Sequence, residues 1–412
     1  MQAPTDRASL DADAIVVGAG ITGLVLAGLM SRQNLRVAVV ESREPGPAAE
    51  PTDIDPRALA ITPASTRIIS AVGAWAKLDP ARIGHFRSMR VWDENGRGTI
   101  CFDSRDLQRP TLGYIIESRG LQQALLEALT DDSSIAWYQP ARAVQFEAGT
   151  DRAMLALDDG RRISASLVVA ADGRDSAIRS LAGIGFTSFD YEQEALACVV
   201  TTEEVHADTA RQRFLSRGTL AFLPLSDPHR CGIVWSTRPD EVQALLQLDD
   251  PEFHRTLAEN IEYSFGEITD SGPRMSYPLG YGSADNYVQD RLALIGDAAH
   301  VVHPLAGQGA NLGILDAAAL YQIVTETLAG GRDPGEWLAL RRYERWRKGD
   351  NRLMMQVLTG FKELFTNQQF PVPLIRNLGL DLTDRLPPIK HRIMEYAMGL
   401  RGDLPEAARI PL

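Results

Sequence analysis

A short glycine-rich stretch near the start of the chain constrains the fold more than any other feature. It follows a continuous apolar run, residues 14–17, and precedes an apolar helical run that reaches Met30. A strand that is apolar at every position is typical of a parallel sheet covered on both faces. Gly18, Gly20 and Gly23 have the GxGxxG spacing between that strand and that helix. The combination predicts a Rossmann-like βαβ unit that binds a dinucleotide.

Each glycine has a separate task in such a unit. Gly18 allows the tight turn, Gly20 lets a pyrophosphate approach the backbone, and Gly23 lets the helix pack closely against the strand. The N-terminus of the helix then presents its free N–H groups to the phosphates. Glu41 follows the second apolar run, residues 37–40, where an acid accepts hydrogen bonds from an adenosine ribose. An acid at this place favours FAD or NAD over NADP.

Two later segments repeat the pattern of a buried strand that ends in an acid. Residues 167–171 lead into Asp172 and the sequence DGRDSAIR at 172–179. Asp172 has an alternative role as the cap of a turn after its strand.

The second of these segments is residues 291–295, which lead into Gly296 and Asp297. A loop rich in proline and glycine then feeds a helix predicted from Asn311 to about residue 328. A helix N-terminus directed at the carbonyl edge of a flavin stabilises negative charge on the reduced ring. Asp297 is placed to accept hydrogen bonds from ribityl hydroxyls.

These three segments, with GDAAHVVHPLAGQGANLG at 296–313, resemble in order and spacing the fingerprints of the single-component aromatic flavin hydroxylases, which have the p-hydroxybenzoate hydroxylase-like fold. Within that superfamily the chain is similar to the ubiquinone-biosynthesis hydroxylases. This second likeness depends on DPRALAI at 55–61, on Glu117-Ser118-Arg119, on HPLAGQGANLG, and on tail motifs around residues 378–380, 386–390 and 397–400. The likeness covers essentially the whole chain.

The resemblance implies an FAD-dependent monooxygenase with NAD(P)H as reductant and O₂ as co-substrate. Its expected reaction is hydroxylation of the aromatic ring of a polyprenylated phenol in ubiquinone biosynthesis, through a flavin hydroperoxide. Because the flavin carries the chemistry, no catalytic side chain is assigned. The tail resemblance favours the branch that hydroxylates carbon 5.

The resemblance also assigns roles to single residues. Arg57 and Arg119 are expected flavin contacts, although each has an alternative role as a surface ion-pair partner. Pro304, Gly307 and Gly309 are expected beside the isoalloxazine ring, while Asp172, Ser176 and Arg179 serve either FAD or NAD(P)H. His300 and His303 are expected to be structural. The predicted cofactor-binding residues are Gly18, Gly20, Gly23, Glu41, Arg57, Arg119, Asp172, Gly296, Asp297, Pro304, Gly307, Gly309 and Asn311.

The expected fold is α/β, with a Rossmann-like FAD-binding domain, a discontinuous antiparallel-sheet substrate domain and a helical C-terminal region. The FAD-binding domain is assigned to residues 1–80, 104–182 and 286–336. The substrate domain is assigned to residues 81–103 and 183–285, with a hairpin turn at 95–96. The helical C-terminal region is assigned to residues 337–412.

Charge and composition exclude several classes of protein and site. A net charge of −12 over 412 residues excludes nucleic acid as the main partner. The three cysteines are far apart and predict free core thiols, with no disulfide framework and no metal site. No run reaches the roughly 18 apolar residues of a membrane span, and the N-terminus lacks the apolar core of a secretion signal. A cytoplasmic location is expected; homo-oligomerisation is left open.

The C-terminal part has the opposite charge to the rest of the chain. Residues 341–401 contain 12 Lys or Arg and 6 Asp or Glu, a local charge of +6. A basic segment on an acidic enzyme predicts peripheral contact with the inner membrane or with a biosynthetic complex. The alternative is a solvated helix pair packed on the flavin domain.

Two other functions remain open at this stage. One is hydroxylation of a soluble aromatic acid, whose carboxylate would need a buried arginine such as Arg213 or Arg217. The other is a flavin-binding assembly factor that uses the fold without turnover.

Overall fold

A computed structural model describes residues 9–44, 54–94, 98–302, 307–366, 383–384 and 386–409. The hairpin turn at 95–96, His303, Pro304 and residues 378–380 therefore lie outside the described residues. The strands are β1 Ala12–Val17, β2 Val37–Val40, β3 Ala58–Ile61, β4 Gly84–Phe86, β5 Ser88–Asp93, β6 Thr99–Asp103, β7 Gly113–Glu117, β8 Ile135–Tyr138, β9 Ala143–Ala148, β10 Ala153–Leu157, β11 Arg162–Ala170, β12 Phe186–Thr202, β13 Thr209–Leu215, β14 Gly218–Pro224, β15 Arg230–Thr237, β16 Ile268–Ser271, β17 Met275–Ala284, β18 Val288–Gln289, β19 Leu292–Leu294 and β20 His300–Val301. The helices are α1 Ile21–Ser31, α2 Pro63–Val72, α3 Ser118–Leu129, α4 Ala177–Leu181, α5 Pro239–Gln247, α6 Asp250–Asn260, α7 Gln308–Ala329, α8 Trp337–Thr366 and α9 Pro387–Ala397.

The first sheet is the Rossmann-like layer. Its strand order is β18-β19-β11-β1-β2-β8, and β1 pairs in parallel with both β2 and β11. The central strands β1 and β2 are buried almost throughout, as expected for strands covered on both faces. Because β1 and β11 are parallel neighbours, the loops after both strands open at the same edge of the sheet.

The second sheet joins segments that are far apart in sequence. Its order is β20-β17-β12-β15-β14-β13-β5-β6, with β16 paired to β12. The predicted hairpin is present as the antiparallel pair β5 and β6. Strands β5 and β13 pair in parallel, and the remaining pairs of described strands in this sheet are antiparallel. The expected fold class, α/β with a discontinuous antiparallel sheet and a helical C-terminal region, is confirmed; the domain boundaries stay a prediction.

A third, small sheet has the strand order β3-β7-β4, and in the chain its strands flank β5 and β6 of the second sheet. Strand β3 contains the second half of the 55–61 motif, and β7 ends at Glu117, the first residue of the Glu117-Ser118-Arg119 motif. The expectation of core thiols is confirmed for Cys198 and Cys231 but is wrong for Cys101, which is exposed. Cys101 lies on β6, the edge strand of the second sheet, where alternate side chains face outward.

Helix α7 is the one described helix with the length and hydropathy of a membrane span. However, 67% of its apolar window is buried inside the protein, which is typical of the core helix of a globular domain. It packs against α1 and α8, and through them it connects the glycine-rich loop to the C-terminal region.

Candidate cofactor and substrate site

One large cavity of about 1480 Å³ runs between the first and second sheets. This volume exceeds the range of roughly 300–1,000 Å³ that is typical of a site for one small molecule. One end is lined by Gly20, Arg57, Asp297 and Gly307, and the other by apolar side chains of the second sheet and of α8 and α9. The cavity therefore has room for a cofactor and a second, largely apolar molecule in contact with it.

The glycine-rich loop has the geometry that a dinucleotide site needs. Gly18 has a φ of +107°, and a Cβ there would lie 2.4 Å from the Ala171 carbonyl oxygen. A Cβ on Gly23 would lie 2.0 Å from the Gly18 oxygen. By contrast, a Cβ on Gly20 would meet nothing within 4 Å, because this residue faces the cavity. Two glycines thus close the turn, and the third leaves open space at the N-terminus of α1.

Glu41 supports this loop directly. Its Oε2 accepts a hydrogen bond from the Ala19 N–H at 2.8 Å, and its Oε1 accepts one from the Arg43 N–H at 2.9 Å. The carboxylate therefore fixes the loop after β1 to the end of β2. Its predicted contact with a ribose is not tested by these bonds and stays a prediction.

Asp55 brings the two predicted flavin arginines together. Its Oδ1 accepts a hydrogen bond from the Arg57 N–H at 3.0 Å, and its Oδ2 accepts one from the Arg119 N–H at 2.9 Å. Arg57 lines the cavity, and its guanidinium lies 5.9 Å from the centre of the Tyr277 ring. Arg119 lies in the first turn of α3, and on the same helix Gln122 lines the cavity and donates to the Ala19 carbonyl at 2.8 Å.

Sequence reasoning quoted Asp55 only as part of a motif and missed its role as the link between these arginines. It missed Gln122 as well. The position of Gln122, three residues after Arg119 on one helix face, was the available signal.

Asp297 lies at the cavity wall, in the short turn that follows the strand β19. Its side chain is open to the cavity. On its other sides the carboxyl is packed against protein, and this desolvation raises its pKa. Nearby His300, Arg57 and Arg174 lower the pKa but do not cancel the rise. A carboxylate in this setting gains from hydroxyl donors inside the cavity. Gly296, with a φ of +57°, brings this segment against Thr22 of α1.

Helix α7 begins at the same wall. Its N-terminal cap, Gly307, has a φ of +61° and offers no side chain to the first-turn N–H groups. Gly307, Gln308 and Gly309 line the cavity, so these N–H groups are available to an anionic edge. The helix begins at Gln308, earlier than the predicted Asn311, because the glycine cap precedes it.

Asn311 holds the start of this helix in place. It is buried, accepts a hydrogen bond from the Thr62 N–H at 3.0 Å, and donates to the Ala60 and Gly307 carbonyls. Its side chain is thus occupied by backbone groups of β3 and of the helix cap. It is placed to position the site, and its predicted cofactor contact stays untested.

In the segment 172–179, some residues line the cavity and others bond only to the surrounding protein. Gly173 and Arg174 line the cavity. Asp172 Oδ2 accepts from the Ile178 N–H at 3.2 Å, as expected of a cap, while its Oδ1 is buried without a described partner. Ser176 caps the Arg179 N–H, and Arg179 donates to the carbonyls of Ala298 and Arg174. These last two residues therefore fix the loop rather than line the cavity.

A buried ionic network lies behind Asp297. Asp316 is fully buried and accepts a hydrogen bond from Arg347 Nε at 2.8 Å, while His300 Nε2 lies 2.5 Å from its other oxygen. Burial alone would raise the pKa of Asp316, but His300 and Arg347 outweigh it and hold the pKa at about 2. The Gly296 N–H also donates to this carboxylate at 3.2 Å. His300 is thus structural, as expected, and Arg347 of the basic segment is a core residue.

The arginines suggested for a soluble aromatic acid do not reach the cavity. Arg213 donates to the Asn260 carbonyl at 2.7 Å and pairs with Glu262 at 2.8 Å, and Arg217 is exposed and pairs with Glu241. Neither of them lines the cavity. Strand alternation explains why Arg213 points away from the cavity, because its neighbours on β13, Gln212 and Phe214, face the cavity. The prediction for these two arginines is wrong.

The arrangement fits FAD. Two helix N-termini, those of α1 and α7, border one cavity, and each begins at a glycine without a capping side chain. Gly20 leaves the room that a pyrophosphate needs. Asp297 would hold the ribityl chain, and the Gly307–Gly309 segment would lie beside the ring.

Comparison with known proteins identifies the family. The family model described as "FAD binding domain" matches residues 11–356. Ubiquinone hydroxylase UbiL of Rhodospirillum rubrum is 35% identical over 98% of this chain and 94% of its own length. The 3-demethoxyubiquinol 3-hydroxylase of Escherichia coli is 33% identical over 93% of this chain and 98% of its own.

Among solved structures, the p-nitrophenol 4-monooxygenase PnpA of Pseudomonas putida has the same fold, with a TM-score of 0.75, 19% identity, and coverage of 95% of this chain and 99% of its own. The chain therefore belongs to the family of FAD-dependent monooxygenases that contains the ubiquinone-biosynthesis hydroxylases.

Proposed function

We propose that this FAD-dependent hydroxylase acts on the aromatic ring of a polyprenylated phenol in ubiquinone biosynthesis. The observation that carries the proposal is the continuity of one cavity from the cofactor loops to a largely apolar second half. A ring with a long hydrocarbon tail matches that half, because burial of each CH₂ group contributes about 0.8 kcal/mol. The names of the relatives agree with a quinone-type substrate.

Bound FAD would supply the redox chemistry, with NAD(P)H as reductant and O₂ as the source of the transferred oxygen. The residues of the chain have other tasks. The first turns of α1 and α7 would bind the negative pyrophosphate and the negative edge of the reduced ring. The apolar wall formed by the second sheet would exclude water from the reacting ring, which protects a reactive oxygen donor from loss.

The experiment uses the purified protein with a short-tailed prenylphenol such as 2-geranylphenol. Denaturation should release FAD and no FMN. Addition of the phenol should accelerate NAD(P)H oxidation and give a product heavier by one oxygen atom. FMN in the released fraction would contradict the cofactor assignment. NAD(P)H oxidation that no phenol stimulates would favour the non-catalytic assembly factor, and product formed only from aromatic acids would favour the soluble-substrate alternative.

The mouth of the cavity supports a second part of the proposal, which is peripheral contact with an anionic membrane. Leu353 and Val357 of α8 and Ile393 of α9 are exposed and line the cavity at the same time. The cations Arg352 and Arg392 lie beside them in the chain, are exposed, and have no ion pair among the described residues. An apolar rim with cations is the composition of a surface that lies on anionic lipid.

Flotation with liposomes that contain anionic lipid tests this contact. The chain should float at low ionic strength and be released at high salt, because the attraction is screened within about 10 Å at 0.1 M. Leu353→Glu with Ile393→Glu should abolish flotation. Leu338→Glu is the matched control, since Leu338 is exposed on the same helix but does not line the cavity. Equal flotation of all three proteins would contradict the contact.

A further inference from the structure

The cavity face of the second sheet contains one row of paired residues that crosses five strands. Backbone pairing places Val91, Gln212, Ala221, Val234 and Ala197 side by side, on β5, β13, β14, β15 and β12. All five line the cavity. Four of them are apolar, and two are alanines that leave space above the sheet. Gln212 is the one polar side chain in the row.

The amide of Gln212 has no hydrogen-bond partner in the part of the chain that the structure describes. Its side chain is 7% exposed, and no described residue hydrogen-bonds to its amide group. The neighbouring polar residue Ser236 is different, because its hydroxyl donates to the Thr219 carbonyl at 3.3 Å. The amide borders the cavity and no described side chain or backbone group satisfies it. It is therefore available to a ligand that completes its hydrogen bonds there.

Gln212 also lies close to the loop that is expected to border the flavin ring. Val302 belongs to one hydrophobic cluster with Val91 and Phe214. Val91 pairs directly with Gln212, and Phe214 is two residues further along the same face of β13. A Cβ on Gly309 would lie 3.7 Å from Val302. The amide is therefore next to the place where a ring above the flavin would be held.

We propose that Gln212 binds an oxygen substituent, a hydroxyl or a methoxy group, on the aromatic ring of the substrate. The proposal rests on the function proposed above and adds to it the chemistry of ring recognition. An amide is neutral and can both donate and accept, which suits a neutral phenol or its ether. A carboxylate ligand would require a cation, and the row contains none. The alanines and valines on either side of Gln212 would pack against the ring and the start of its tail.

Two probes that differ only in the ring oxygen test the proposal. They are 2-geranylphenol and geranylbenzene, titrated into the FAD-loaded protein while the flavin absorbance is followed. The wild-type protein should bind the phenol about 10-fold more tightly, as one net hydrogen bond predicts. Gln212→Met keeps the length of the side chain and removes the amide, and it should reduce this preference to about twofold or less.

The control variant is Val234→Ala, which alters the same row without changing its polarity. It should weaken the binding of both probes by a similar factor. Both variants should keep the wild-type affinity for FAD. A wild-type protein that binds both probes equally, or a Gln212→Met variant that keeps the full preference, would overturn the role of Gln212 alone. A wild-type protein that holds FAD but binds neither probe would overturn the proposed prenylphenol function itself.

Discussion

Replacement of Gly20 by valine should separate cofactor binding from folding. Gly20 has φ −74° and ψ 175°, an extended conformation that valine adopts without strain. Its added side chain would enter open cavity rather than protein, because nothing lies within 4 Å of the Cβ position. The free energy of unfolding of the apoprotein should therefore change by less than about 1 kcal/mol.

The effect on FAD should be large, since the valine would occupy the space of the pyrophosphate at the N-terminus of α1. Loss of two charge-assisted hydrogen bonds to backbone N–H groups corresponds to about 3 kcal/mol or more. That free energy is roughly a 100-fold increase in Kd. Fluorescence titration of the apoprotein with FAD measures the affinity, and urea denaturation of the same sample measures the stability.

Two further glycine variants make the comparison specific. Gly349→Val, on the exposed side of α8, also enters open space and should leave FAD affinity unchanged. Gly23→Ala places its Cβ 2.0 Å from a backbone oxygen and should destabilise the fold itself. If Gly20→Val binds FAD within about threefold of wild type, the pyrophosphate does not lie at this glycine and the site has been misplaced.

Three further predictions concern the cofactor wall and the network behind it. Asp297→Ala should weaken FAD binding by about 1–3 kcal/mol, because its carboxylate is expected to hold ribityl hydroxyls. An unchanged Kd would contradict that contact. Arg347→Gln should lower the free energy of unfolding by about 3–5 kcal/mol, because the buried Asp316 loses its guanidinium partner and keeps only His300 as an ionisable partner. Urea denaturation should show a change of less than about 0.5 kcal/mol for the exposed control Arg345→Gln. Since the folded pKa of Asp316 is about 2, below its ordinary 3.8, its contribution of about 2 kcal/mol is present above pH 4 and is lost as the pH falls toward 2. Thermal melts between pH 5 and pH 2 should therefore be less pH-dependent for Asp316→Asn than for wild type, and identical profiles would contradict this assignment.

The parts of the fold that depend on local pattern could be predicted from the sequence. A buried strand, a glycine turn and a helix follow one another within about 20 residues, so their physical requirements are visible in a short window. The sequence predicts the start of α7 three residues late, because the left-handed conformation of its glycine cap is not visible in the sequence. The same limit applies to Asp55, whose two backbone partners are 2 and 64 residues away.

The substrate half of the cavity could not be predicted in the same way. Alternation along β13 shows that Gln212 and Arg213 face opposite sides of the sheet, but it does not show which side borders the cavity. That choice is made by pairing with β5 and β14, which come from distant parts of the chain. The sequence thus indicates Arg213 wrongly and does not indicate Gln212 for the same reason, because it does not show which face of β13 borders the cavity.

The basic C-terminal segment illustrates a related limit, because a charge count contains no information about pairing. Several of its cations are neutralised locally: Arg341 pairs with Glu344, Arg342 with Glu326, Arg347 with Asp316, Lys390 with Asp106 and Asp384, and Arg401 with Glu395. The local charge of +6 therefore overstates the attraction that this segment can exert on an anionic surface. Arg352 and Arg392 are different, since they are exposed beside the apolar rim of the cavity. In the proposed membrane contact, these cations would contribute about 1 kcal/mol each near a charged surface. They would act together with the apolar side chains at the opening through which a hydrocarbon tail would pass.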